Sequence, residues 1–258
     1  DNIKQYFSYE IVDGEDGIQT LDIKLKNPIE YKIRINKQDM AGLGLEGADI
    51  TATFNGVTYS NQGKDYIEIP VTNVTPLTSN TLTIKENYSK DNYENVFEDT
   101  SVVIVFMINN NYKLNVINSF MIGTATNGMF SAIPSEYFNV NIDNLQENTS
   151  QITATITMKN PIKYNFEVVK TDLSGNELSG DDLKLQVTRN SDTPKVNNGE
   201  SRIKFIEEDL SPNTVNTYVI EELETLAPYV NELKDKKLTV QVRVDEKGEL
   251  IIQKFEVT

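Results

Sequence analysis

Residues 26–50, KNPIEYKIRINKQDMAGLGLEGADI, return as residues 159–183, KNPIKYNFEVVKTDLSGNELSGDDL, at an offset of 133. A second stretch, IEIPVTNVTPLTSNTLTIKE at 67–86, returns as IKFIEEDLSPNTVNTYVIEE at 203–222, at an offset of 136. Copies of this length are whole modules in tandem, longer than the units that stack into solenoids. Inside the first stretch, Tyr31, Ile33 and Ile35 alternate with polar residues, as Tyr164, Phe166 and Val168 do in its copy. That period of two is the signature of a strand with one face buried. It predicts strands over 6–12, 19–26, 31–37, 49–54, 65–70, 81–86, 102–108 and 112–118, then 137–142, 151–159, 164–170, 182–188, 202–206, 216–222, 237–244 and 249–257. Asp13-Gly14, Asn55-Gly56, Ser174-Gly175-Asn176 and Lys247-Gly248 supply turns between them. Helical pattern is scarce, with 223–235 suggesting a turn or two. The chain reads as an all-β sandwich protein in two copies.

The boundary between the copies has two readings. Segment 119–135, FMIGTATNGMFSAIPSE, has no counterpart before the first copy. As a linker it gives modules of 1–133 and 134–258, the division we prefer because it leaves no orphan strands at the N-terminus. Alternatively, the strand ending in Asn160 closes the first module, and residues 1–27 are closing strands of a preceding one. The doublets Tyr6-Phe7 and Tyr137-Phe138 precede each KNP and suit both readings. A first residue of Asp rather than Met fits a piece of something larger.

Composition excludes several functions. The 258 residues carry a net charge of −15, with a pI near 4.5, which argues against nucleic acid and anionic membrane as partners. Cysteine, histidine and tryptophan are absent, which rules out a structural zinc site and any nucleophile served by histidine. No apolar run reaches membrane-spanning length. The loop Asp13-Gly14-Glu15-Asp16-Gly17 is rich in oxygen but lacks EF-hand spacing, so it reads as a hairpin turn, and Asp172 to Asp182 reads as a solvated turn. No metal or cofactor is expected.

Two pairs of charged residues break the pattern. Lys37 extends the inward row Tyr31, Ile33, Ile35, and Lys170 extends Tyr164, Phe166, Val168. Glu86 ends the row Leu82, Ile84, and Glu222 ends Tyr218, Ile220. An inward charge is costly unless paired or neutral. One reading is a salt bridge at the edge of each core. The other is chemical: desolvation favours the neutral amine and the protonated carboxyl, so an Asn or Asp side chain held between them can form an isopeptide bond by proximity alone.

The stretch Val169-Lys170-Thr171-Asp172-Leu173-Ser174-Gly175-Asn176-Glu177-Leu178-Ser179-Gly180 resembles the opening of B-type (Cna-B, SpaA-like) domains of Gram-positive surface adhesins and pilins. Tyr218-Val219-Ile220-Glu221-Glu222, with Ala227-Pro228-Tyr229 after it, resembles their second signature. The first copy matches through Lys37, Asp39, Gly42, Leu45, Gly47 and Glu86. The resemblance implies two tandem immunoglobulin-like or prealbumin-like β-sandwich modules, often cross-linked between Lys and Asn with an acidic residue assisting. The lysine then maps to Lys37 and Lys170, and the acid to Glu86 and Glu222. The asparagine for Lys37 is Asn160 if its strand closes the first module, or Asn118 under the other division. In the second copy the chain reaches Thr258 without an equivalent asparagine, while Asn27 occupies the Asn160 position ahead of the first copy.

The expected role is a stalk or adhesive unit on a bacterial cell surface, extracellular and anchored to the cell wall through other parts of its parent. Its partners would be neighbouring modules, or a host matrix protein or glycan. A module that grips a host protein or glycan, with its Lys–Glu pairs only as salt bridges, is the alternative. An enzyme is not expected, since no carboxylate pair stands on loops as in a glycosidase.

Overall fold

A computed structural model describes residues 6–14, 18–123, 129–144 and 151–258. Residues 15–17 of the oxygen-rich loop and 124–128 of the 119–135 segment lie outside them. The strands in chain order are β1 (Phe7–Asp13), β2 (Gln19–Leu25), β3 (Ile29–Asp39), β4 (Asp49–Phe54), β5 (Val57–Ser60), β6 (Tyr66–Val74), β7 (Ser79–Tyr88), β8 (Thr100–Ile108), β9 (Leu114–Gly123) and β10 (Phe130–Ser131). They continue with β11 (Phe138–Asp143), β12 (Ile152–Asn160), β13 (Ile162–Val169), β14 (Lys184–Arg189), β15 (Lys195–Val196), β16 (Arg202–Leu210), β17 (Val215–Glu224), β18 (Leu238–Val244) and β19 (Leu250–Val257). The described residues contain no α-helix; in 223–235 the first two residues end β17 and turns lie at 227–228 and 232–235. The protein is all-β.

Sheet order shows why each predicted strand forms. A six-stranded sheet runs β10-β9-β8-β7-β4-β5, and a four-stranded sheet runs β11-β12-β3-β6. Their inward rows are dry: Tyr31, Ile33 and Ile35 on β3, Leu82 and Ile84 on β7, and Ala154, Ile156 and Met158 on β12 are all fully buried. The β4–β5 hairpin turns on Asn55-Gly56, both at positive φ (46° and 85°), the backbone that a two-residue type I′ turn demands and that Asn-Gly supplies cheaply.

The second set of sheets is smaller, with a five-stranded sheet β15-β14-β17-β18-β19 and a two-stranded sheet β13-β16. Leu185, Val187, Ile203, Tyr218, Val240 and Val242 make its core, and Tyr164, Phe166 and Phe205 pack against them. Phe166 stacks flat on Tyr218, with ring centroids 3.5 Å apart. β1 and β2 form a hairpin of their own.

Two compact units emerge. One comprises 1–36, 49–87 and 97–158, and the other 37–48, 88–96 and 159–258. β11 and β12, which follow the 133/134 division, belong to the same sheet as β3 and β6, which precede it.

Candidate functional site

The duplicated sequence builds a duplicated frame around each lysine. Leu45 donates its backbone N–H to the Lys37 carbonyl (2.9 Å), and Leu178 donates to the Lys170 carbonyl (3.0 Å). Asp39 N–H bonds Leu43 O and Asp172 N–H bonds Asn176 O, each at 2.9 Å. The Asp39 carboxylate accepts from Leu43 N–H, and that of Asp172 accepts from Ser174 and Asn176 N–H. Hydrogen bonds from the Asn176 side chain and from these amides hold the Asp172 carboxyl below the usual carboxylate range. This oxygen-rich loop therefore spends its acceptors on its own backbone, and the described residues bring no three acidic groups together for a metal.

The two lysines differ in what meets them. Lys37 Nζ donates to Asn160 Oδ1 at 2.6 Å, and both residues are 0% exposed. Asn160 Nδ2 in turn donates to Ser89 Oγ at 2.6 Å. Lys37 and Asn160 each stand near the C-terminal end of neighbouring strands, β3 and β12, so these strands run in the same direction. Asn160 thus reaches Lys37 because β12 closes the four-stranded sheet. Asn118, the alternative partner, is exposed on β9 opposite Val105. Glu86 ends its inward row on β7 at 3% exposure, the parity expected from its sequence.

In the second copy, Lys170 lies one residue past β13 and donates to Glu222 Oε2 at 2.8 Å. The Lys170 side chain is 22% exposed and that of Glu222 only 3%. Glu222 Oε1 is buried and has no hydrogen-bond partner among the described residues, and the same is true of Thr225 Oγ1. A cavity of about 260 Å³ opens here, lined by Val168, Lys170, Leu185, Ile220, Glu222 and Val257. Thr225 borders an adjoining recess with Lys170 and Glu222.

Sequence reasoning passed over Ser89 and Thr225. Both follow directly on strands, β7 and β17, and both keep the offset of 136 that relates Glu86 to Glu222. Asn61 and Asn197 keep it too. Each accepts a backbone N–H with its side-chain oxygen, from Ile50 (3.1 Å) and Leu185 (2.8 Å) respectively, and so pins a strand start. Carrying the second repeat three residues past Glu86 and six before Ile67 would have found all four.

Fold and site together define an all-β chain of β-sandwiches with a buried lysine–asparagine–serine cluster and, in the second copy, a lysine–glutamate ion pair. No family model matches the chain, and no curated protein does. Among solved structures it is similar to the pilus adhesin SpaC from Lactobacillus rhamnosus GG, with 12% identity and a TM-score of 0.28 over 96% of this chain and 30% of that one. It is also similar to the Bacillus anthracis TIE protein, with 14% identity and a TM-score of 0.34 over 94% and 39% of the two chains. A third is the pilus backbone RrgB from Streptococcus pneumoniae, with 10% identity and a TM-score of 0.25 over 93% and 63%. The chain thus spans about 30% of the length of the SpaC adhesin that it matches.

Proposed function

We propose that the chain is a structural or adhesive part of a bacterial cell-surface protein, extracellular and built of tandem sandwiches. The first sandwich, whose boundary we place at Pro161, is locked by an amide between Lys37 and Asn160. The observation that carries this reading is the 2.6 Å approach of Lys37 Nζ to the Asn160 carboxamide, with both residues excluded from water.

In the reaction, neutral Nζ attacks Asn160 Cγ, the Cγ–Nδ2 bond breaks, and nitrogen leaves as ammonia. Proximity supplies most of the rate, because amine and carbonyl are already held at contact distance. Ser89 Oγ accepts a hydrogen bond from Nδ2 and so orients the leaving group. The carboxyl assigned to move protons is Glu86, buried on its inward row. The product closes a chain segment whose ends are 123 positions apart. By analogy with a disulfide of that span, it stabilises by about 5 kcal/mol.

For Lys170 and Glu222 the ion pair is the reading that the geometry favours, since no carboxamide of the described residues bonds Lys170. Intact-mass spectrometry tests the proposal. The folded chain should be lighter than its sequence by one ammonia, and Lys37→Ala should restore the full mass of its own sequence. A wild-type chain at full mass contradicts the amide.

A further inference from the structure

The three segments that carry Lys37, Ser89 and Asn160 all send an apolar side chain to one small core. Leu45, whose N–H bonds the Lys37 carbonyl, Tyr93, which follows Ser89 in the chain, and Ile162, just past Asn160, are buried together with Ala48 and Val244. The three polar residues and this whole cluster belong to the second compact unit. Val244 ends β18, far along the chain from all of them.

Backbone pairing links that core to the reacting groups. Glu94 donates its N–H to the Pro161 carbonyl at 2.8 Å, and Lys163 donates to the Asn92 carbonyl at 3.0 Å. Tyr93 and Ile162 form an antiparallel bridge between them. Residues 92–94 are therefore clamped beside 161–163, immediately after the Asn160 and Ser89 side chains that meet at 2.6 Å.

The Tyr93 ring also has a fitted seat. Gly248, in the turn between β18 and β19, lies so close that a Cβ there would stand 2.8 Å from a ring carbon and 3.1 Å from the hydroxyl oxygen. Its φ of 81° is the left-handed backbone that glycine adopts without strain. Asp245 fixes this turn by accepting from the N–H groups of Lys247 and Glu249, each at 2.8 Å.

We propose that Tyr93 is a positioning residue for the Lys37–Asn160 amide, held in place by Gly248. Through 92–94 it sets Ser89 against the Asn160 carboxamide, and through Leu45 the same core braces Lys37. The amide then forms at full rate only once the β18–β19 turn has folded, which ties closure to residues far later in the chain. The inference rests on the amide proposed above. Proximity is steep, since a displacement of about 1 Å at such a site costs on the order of 100-fold in rate.

The test follows ammonia loss by intact mass in full-length chains isolated unfolded from inclusion bodies, timed from the point at which circular dichroism shows refolding complete. Tyr93→Ala and Gly248→Ala should each slow the loss at least tenfold, and Tyr93→Phe, which keeps the ring, should run at the wild-type rate. Gly175→Ala controls for backbone strain: its φ is 88°, but nothing lies within 4 Å of a Cβ there, so the rate should be unchanged. Adding Gly248→Ala to Tyr93→Ala should cost nothing further, because the two act through one contact. Wild-type rates in both single alanine variants overturn the proposal, as does a Gly175→Ala chain as slow as Gly248→Ala. A second readout does not need the bond. In the unreactive Lys37→Ala chain, adding Gly248→Ala should speed hydrogen exchange at the Glu94 and Lys163 amides at least tenfold, while the amides of β8 keep their protection. Unchanged exchange at those two amides overturns the clamp. A wild-type chain that never loses ammonia overturns the amide instead, and the clamp is then decided by exchange alone.

Discussion

At Lys37 and Lys170 the same sequence context gives two different environments, and the difference traces to one side chain. Lys37 finds the Asn160 carboxamide, which is itself held by Ser89. Lys170 finds Glu222 and keeps about a fifth of its side chain in water. The four charged positions were legible because parity placed them on inward rows. The asparagine was not, because its choice depends on which strand closes the sheet, and that is a non-local fact. Ser89→Ala removes the hydroxyl that accepts from Asn160 Nδ2, an expected cost of about 1 kcal/mol for the lost hydrogen bond. It should also slow the loss of ammonia in a time course of freshly refolded protein, while leaving the endpoint mass unchanged. Tyr31 gives a contrasting case. Its hydroxyl is fully buried with no partner among the described residues, and burial pushes its pKa well up. Tyr31→Phe removes an unsatisfied group while keeping the ring that meets Phe54 edge-on. Thermal unfolding should show it neutral or more stable, by about 1 kcal/mol.

Among the elements, the alternation found every long strand to within a few residues and missed the short ones, β5, β10 and β15. A two-residue strand such as β15 has too few positions to show a period. What alternation could not show was pairing: β12 carries the same inward pattern whether it opens a second sandwich or closes the first. The loop after Lys170 is tied to the start of β16 by Glu177, which accepts from Arg202 and from Ser201 Oγ. Those hydrogen bonds, from Arg202 first, hold the Glu177 carboxyl at about 2. Its folded pKa lies below the ordinary 4.5, so its contribution to stability is complete above about 4.5 and is lost as pH falls from there towards 2. Because Glu177 is exposed, the effect is local. In Arg202→Ala the Glu177 titration followed by NMR should move up towards 4.5, and a titration that stays near 2 would assign the shift elsewhere.

For the molecule as a whole, a net charge of −15 repels itself, and thin β layers offer modest cores, so covalent closure is an economical source of stability. Lys37→Ala should lower the melting transition of the sandwich closed by β12 by on the order of 10–20 °C, the shift expected for about 5 kcal/mol in a domain of this size. The measurement that bears most directly on the central claim is peptide mapping of the folded wild-type chain after trypsin. An amide at Lys37 blocks cleavage there, so the account predicts a branched product joining residues 35–64 to residues 160–163, lighter than the two peptides together by one ammonia. Complete cleavage after Lys37, with residues 160–163 recovered as a free peptide bearing an intact asparagine, would contradict it.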